Sequence, residues 1–423
     1  MNCMRIYNRV IRGEQNKTPI AAKDISKLRV CILSTHFYPL HSGGGAQAMR
    51  ISQVISHADQ RFAFSVVTQR YPSTAVHEIV NGLTIFRLGS PWLSVKAPRL
   101  AYFHFLILLG WYLLWNGRRF AVLHSLSGYA IGSVAGVFGR LHHRAVIIKI
   151  AAGELRSSTN RLKSWLRKIR LIGLKLADVI ITVNEQVEQV LRVEGVPADQ
   201  LLRLPNGVDT ALFIPPADSS EKENLRQQLQ LDPKMTYAIF VGNIHPEKGI
   251  APLIEAWRQV AQSDPLSHLL LVGDLPKVEA GISPAFVQEF KSLISDEGRR
   301  LRITWLGRRQ DVSSLLRASD IFVFPSEREG MPNALLEAMA SGLPIVSTCI
   351  PGVESVARNG THGFLVPPNN AHALQQAIIM ILKMDTEARM ALGKASRTHV
   401  ANNYSLETVR DRYLDLYTSL SSN

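Results

Sequence analysis

At 423 residues, with 46% hydrophobic and 19% charged side chains, the chain has the composition of a folded globular protein and not of a disordered or fibrous one. It is longer than a single core usually supports, so two domains are expected. The net charge of +14 is unevenly shared: residues 1–210 carry 27 Lys and Arg against 11 Asp and Glu, a net of +16, and the remainder carries 21 against 23, a net of −2. A basic excess confined to one half implies a polyanionic partner there, nucleic acid or an acidic lipid surface. No RNA-binding signature or zinc-finger spacing supports nucleic acid. Cys3, Cys31 and Cys349 are odd in number and far apart, as expected of free thiols in a reducing compartment, which points to the cytoplasm.

In chain order, residues 1–27 are polar, mildly basic and without the apolar core of a secretory signal, and read as a flexible extension. Apolar runs then alternate with amphipathic segments, the pattern of parallel sheets covered by helices. Strands are expected at 28–34, 62–68, 83–88, 120–124, 145–150 and 178–183 within a first domain, 28–205. Two segments of that domain bear on the lipid alternative. AYFHFLILLGWYLLW at 101–115 is short for a membrane span of roughly 20 residues, and reads either as a buried helix or as one partly inserted into a leaflet. NRLKSWLRKIRLIGLKL at 160–176 sets Leu162, Trp165, Leu166, Ile169, Ile172 and Leu176 at helical spacing among Arg and Lys. It suits a helix in the interface of an anionic bilayer equally with one packed on its own domain.

The stretch 206–235, with Pro215, Pro216 and a charged run, reads as a linker. A second domain, 236–400, restarts the alternation with strands at 237–242, 268–273, 301–307, 320–325, 344–348 and 363–367, and 401–423 adds an amphipathic helix. The expected architecture is α/β, two Rossmann-like doubly wound domains facing across a cleft. Ligands of such open sheets bind at the carboxyl ends of the strands.

The chemistry concentrates in PSEREGMPNALLEAMASGLPIVST at 325–348. Pro332 suits the first turn of a helix, so Gly330 to Asn333 are expected to offer backbone amides at a helix N-terminus, an anion site. Glu329 lies before that helix and Glu337 about one turn inside it, seven residues intervening. Such a carboxylate pair can grip hydroxyl groups while amides hold phosphate; the plainer alternative is a solvated loop and helix face.

This segment resembles the glutamate, seven residues, glutamate motif of the retaining glycosyltransferases with two Rossmann-like domains, the GT-B architecture, in the large bacterial family 4. VGNIHPEKG at 241–249, LLVGD at 270–274, WLGRRQDV at 305–312, PNGVD at 205–209 and SGGGAQ at 42–47 follow in the family's order. The resemblance implies that Glu337 holds the nucleotide ribose and Glu329 faces the donor sugar. Amides at Met331, Asn333 and Ala334, around Gly330 and Pro332, would meet sugar hydroxyls or the diphosphate, and Lys248 would neutralise that diphosphate. Gly273 and Asp274 would line the donor site, and Gly43, Gly44 and Gly45 would let the backbone approach the phosphates.

Two positions depart from the family. Asn243 stands where an Arg is common, leaving Arg308 or Arg309 to reach in from the next loop. His124 is the candidate for the family's active-centre His, whose position in some relatives is taken here by Leu126; it reads equally as a packed strand-end residue. The resemblance implies retention of configuration with no metal and no cofactor, the donor being a UDP- or GDP-sugar. It also implies that the C-terminal helix returns to brace the first domain. The basic, partly apolar first half fits a lipid-linked glycan or a glycolipid precursor of surface polysaccharide assembly as acceptor, at the inner face of the cell membrane. A non-catalytic sugar-nucleotide-binding scaffold, or an epimerase on the same architecture, is the alternative.

Overall fold

The computed structural model describes residues 27–39, 43–128, 130–150, 171, 173–275 and 282–421. Residues 1–26 of the extension 1–27, and most of the basic stretch 160–176, namely 160–170 and Ile172, lie outside them. The chain forms two compact units, Met1–Gly207 with Leu406–Asn423, and Val208–Ser405.

The first unit is built on an eight-stranded sheet: β1 (Leu28–Ser34), β2 (Phe62–Gln69), β3 (His77–Val80), β4 (Leu83–Leu88), β5 (Val122–Ser125), β6 (Ala145–Ile150), β7 (Val179–Thr182) and β8 (Leu201–Arg203). Their order is β3-β4-β2-β1-β5-β6-β7-β8, parallel throughout except for the β3–β4 pair. The central strands are near-continuous runs of Val, Ile and Leu because both faces are covered. The core sets Ile32, Val66, Ile85, Val122 and Ile147 against Val409, Leu416 and Tyr417 of the C-terminal helix Leu406–Ser421. That helix packs on helix Gly43–Ala58 and on β5. Connections leave β1 toward β2 on one side while β5 lies on the other, so a topological switch point falls between β1 and β5.

The second unit repeats the plan with six parallel strands: β9 (Thr236–Val241), β10 (Ser267–Val272), β11 (Ile303–Gly307), β12 (Ile321–Phe324), β13 (Ile345–Thr348) and β14 (Gly363–Val366), in the order β11-β10-β9-β12-β13-β14. Its switch point falls between β9 and β12.

Three findings differ from the sequence reading. Strands β3 and β8 were not expected; the first is a four-residue edge strand, HEIV, returning through Asn81–Gly82, and the second is three residues long. The stretch 206–235 is not a linker, because helix Ser219–Gln228, capped by Asp218, joins the second unit through Lys222 and Arg226, each 2.6 Å from the Asp320 carboxylate before β12. The stretch 101–115 lies in helix Pro98–Asn116, which buries Ala101, Phe105, Leu109 and Leu113 but exposes Phe103, Ile107, Trp111 and Trp115, so it is not simply a buried helix.

Candidate active site

At the switch point of the second sheet, two loops leave the carboxyl ends of β9 and β12 and are tied together. After β9 the chain makes a short 3-10 turn, Pro246–Lys248, whose first free amide, that of Glu247, donates to His245 Nδ1 at 3.2 Å. Gly249 follows with φ 69°, and a Cβ there would lie 2.0 Å from the Pro325 carbonyl oxygen. Only glycine permits both that dihedral and that approach. The Glu327 amide donates to the Glu247 carbonyl at 2.9 Å, and the Ser326 hydroxyl donates to the same oxygen at 3.2 Å. The result is a fixed cradle in which Lys248 Nζ donates to Glu329 Oε1, an oxygen that Ser326 Oγ also approaches at 3.2 Å.

The side chains of Lys248 and Glu329 are 28% and 15% exposed, and Glu337, on helix Asn333–Ala340, is 9% exposed. Neither carboxylate therefore lies on a solvated face. Pro332 sits one position earlier than expected, as the N-cap of that helix, because its φ of −77° and ψ of 117° are extended. Gly330, Met331, Asn333 and Ala334 lead into the first turn as expected.

The neighbouring strands bring the remaining residues to the same edge. The Ile244 amide donates to the Asp274 carbonyl at 2.8 Å, and the Gly273 amide donates to the Gly307 carbonyl at 2.8 Å. Gly273, at φ 148°, lies so close to β9 that a Cβ would be 1.9 Å from the Gly242 oxygen. Asn243, Asp274 and Arg308 thus stand exposed on three adjoining strand ends. Arg309 is held by Asp311 at 2.6 Å, so Arg308 is the cation of that pair with no such carboxylate beside it among the described residues. Among the described residues no group of three His, Cys, Asp or Glu side chains is arranged to hold a metal ion.

The first unit has its own polar cluster at its own switch point. Gly43, Gly44 and Gly45 are not a loop but the first turn of helix Gly43–Ala58, and Gly44 lines a small cavity, ≈ 20 Å³, with open space where a side chain would project. His124 of β5, 3% exposed, lies with its Nδ1 2.8 Å from the Tyr417 hydroxyl, while its Nε2 makes no hydrogen bond among the described residues. Burial, and then the nearby Lys149, lower its pKa to about 3, so the ring is neutral at physiological pH. Lys149 of β6 donates to Asn206 Oδ1 at 3.0 Å and to the Tyr413 hydroxyl at 3.4 Å, and burial lowers its pKa to about 8. Gln47 is held by both backbone groups of Gly207, donating to the carbonyl at 2.8 Å and accepting from the amide at 3.1 Å.

Lys149, Gln47, Ser326, Tyr413 and Tyr417 were not singled out in the sequence. A lone lysine in the apolar run AVIIKI was the available signal for Lys149. The tyrosines were hidden because helix Leu406–Ser421 read as a brace, whereas it also furnishes two hydroxyls to this cluster.

Comparison with known proteins places each unit. Residues 221–399 match the family model described as glycosyl transferases group 1, and residues 43–212 the model described as glycosyltransferase family 4. The UDP-Gal:α-D-GlcNAc-diphosphoundecaprenol α-1,3-galactosyltransferase of Escherichia coli is 26% identical over 75% of this chain and 80% of its own. The N-acetyl-α-D-glucosaminyl L-malate synthase of Bacillus anthracis is 22% identical over 90% of this chain and 94% of its own. Among solved structures, a sucrose-phosphate synthase from Thermosynechococcus elongatus superposes with a TM-score of 0.77 at 23% identity, covering 94% of this chain and all of that one. HepE of Anabaena, solved with UDP and glucose, superposes with a TM-score of 0.73 at 18% identity over 93% of this chain and all of its own. At these identities the structures establish the shared fold alone.

Proposed function

The chain belongs to the group 1 glycosyltransferases of GT-B fold, and from that premise we propose that it transfers a hexose-type sugar, with retention of anomeric configuration, from a UDP-sugar to a lipid-linked glycan. The observation that carries the reading is the Lys248–Glu329 pair, fixed by Ser326 at the switch point of the second sheet, where open α/β sheets bind their ligands. The reaction breaks the bond from the anomeric carbon to the diphosphate oxygen and forms one to the acceptor hydroxyl on the same face. The acceptor proton goes to the departing diphosphate, so no strong protein base is required. The protein's part is to position the reactants and to stabilise the leaving charge. Lys248 supplies the positive charge that offsets it, with Arg308 as second cation, Glu329 accepts from donor-sugar hydroxyls, and Glu337 takes the ribose. No metal enters this scheme.

UDP is favoured over GDP because the E. coli relative is named for UDP-Gal. The lipid-linked acceptor is supported by that relative's diphosphoundecaprenol substrate and by the basic first half of the chain. We place the reaction on the cytoplasmic face of the cell membrane, where such acceptors present their glycans.

The test is incubation of the protein with a panel of UDP- and GDP-sugars and a polyprenyl-diphosphate-linked glycan, Glu329→Ala serving as control. Acceptor-dependent release of one nucleotide, an α-linked product from an α-linked donor, and loss of both in the variant are expected. Binding without release across the panel would instead indicate a scaffold, and donor conversion without acceptor an epimerase.

A further inference from the structure

The helical stretch Pro98–Arg119, most of it helix Pro98–Asn116, is long and apolar enough to cross a membrane by length and composition, yet it belongs to the first unit. Its inner stripe, Ala101, Phe105, Leu109 and Leu113, is fully covered by β2, β4 and helix Ala130–His142. Its outer stripe is open: Phe103 is 62% exposed, Ile107 71%, Trp111 64% and Trp115 67%. Single exposed apolar residues are ordinary, but a helix-long aromatic stripe marks an interaction face. Val137 and Leu141 widen it from helix Ala130–His142, and both are more than half exposed.

The charge around the stripe identifies the occupant. No Asp or Glu occurs between Glu78 and Glu154, a stretch holding eight Lys and Arg. Lys96 and Arg99 stand exposed at one end of the helix, Arg118 and Arg119 at the other. At that second end a cavity of ≈ 500 Å³ opens at the amino ends of β1, β2 and β4. Lys27, Arg29 and Arg119 line it together with Tyr112, Asn116 and Phe86, and its lining contains no carboxylate. An apolar aromatic stripe framed by cations complements an anionic bilayer, with the apolar face in the headgroup boundary and the cations on lipid phosphate.

We propose that the first unit docks on an anionic phospholipid bilayer through the outer face of helix Pro98–Asn116, the basic cavity at its carboxyl end taking a lipid phosphate headgroup. The helix lies in the plane of the membrane and does not span it, because its inner stripe is committed to the core. It descends from the carboxyl end of β4 to the amino end of β5, so a bilayer laid along it reaches from the cavity to the strand ends that carry the polar cluster. The proposal rests on the membrane part of the functional reading and specifies the surface that serves it.

The experiment is flotation of the full chain with vesicles of phosphatidylcholine alone or mixed with phosphatidylglycerol. It compares the wild type with Ile107→Glu/Trp111→Glu and with Arg29→Glu/Arg119→Glu, each variant first checked for wild-type Tm. The wild type is expected to float strongly with the mixed vesicles and weakly with phosphatidylcholine alone, with a blue shift of tryptophan emission. The charge variant should lose on the order of fivefold in binding per cation removed, and the apolar variant should lose binding to both vesicle types. Undiminished flotation of both variants, or none of the wild type, overturns the proposal. So does a wild-type dimer that Ile107→Glu/Trp111→Glu dissociates, which would assign the stripe to a second copy of this chain. Transfer to an acceptor with a truncated, water-soluble lipid is measured in parallel. Its persistence in non-floating variants supports the docking role, whereas its absence from the wild type counts against the functional reading and leaves the flotation result standing.

Discussion

The two switch points are built differently. In the second unit the candidate site is a backbone construction, with loops after β9, β10, β11 and β12 stitched by amide–carbonyl bonds and by Gly249 and Gly273, where any other residue would clash. In the first unit it is a side-chain construction: Gln47, His124, Lys149, Tyr413 and Tyr417 come from four elements far apart in sequence. A backbone construction leaves contiguous motifs; a side-chain one leaves isolated residues whose meeting only the fold reveals.

The largest expected effect tests the second unit. Lys248→Ala should lower turnover ~10²–10³-fold, the usual cost of removing one preorganised electrostatic contact, with a smaller effect on Tm from the Glu329 carboxylate left without its cation. Steady-state kinetics beside thermal melts check this, and a large loss of Tm with modest loss of turnover would make the pair structural.

Next in size is the backbone itself. Gly249→Ala should cost about 1–3 kcal/mol in stability, since it forces a left-handed φ and a clash with the Pro325 carbonyl, and it should raise the donor KM. Urea denaturation followed by donor titration measures both.

The third prediction concerns the first unit and pH. Burial holds His124 at about 3, below its ordinary 6.5, so between those values the unfolded chain takes up a proton that the folded chain refuses. Stability should therefore fall as pH drops through 6.5, by about 2 kcal/mol at pH 5 from this group alone. His124→Asn should flatten that limb in melts from pH 7 to 5, and an unchanged slope would place the sensitivity elsewhere. Lys149 runs in the alkaline range with the same sign. Its folded pKa of about 8 lies below the ordinary 10.5, so its burial penalty is present below pH 8 and is relieved as pH rises toward 10.5.

The smallest effect separates two adjacent arginines. Arg308→Ala should weaken donor binding, whereas Arg309→Ala should change it little, because Arg309 is already engaged by Asp311 on the surface. Equal losses would show that the pairing with Asp311 does not decide which arginine serves.

Legibility in the sequence followed the same division. The central strands were readable because burial on both faces makes them uninterrupted apolar runs. His77–Val80 was not, being a four-residue edge strand defined by its pairing with β4, nor was Leu201–Arg203, too short for any periodicity. Helix Ser219–Gln228 reads as linker in the sequence because its composition is charged, and what fixes it is Asp320, about a hundred residues away. In the second unit the spacing of Glu329 and Glu337 was visible, but the role of Ser326 in holding Glu329 was not, since serine in a loop carries no signal. In the first unit His124 could be named but not its environment, which depends on Tyr417, 293 residues away in sequence.

The most direct test of this account is calorimetric titration of UDP into the wild type, Lys248→Ala and Lys149→Met. Loss of about tenfold or more in affinity is predicted for Lys248→Ala, with Lys149→Met unchanged. Equal weakening in both variants, or none in Lys248→Ala, would contradict the assignment of the donor to the second unit's switch point.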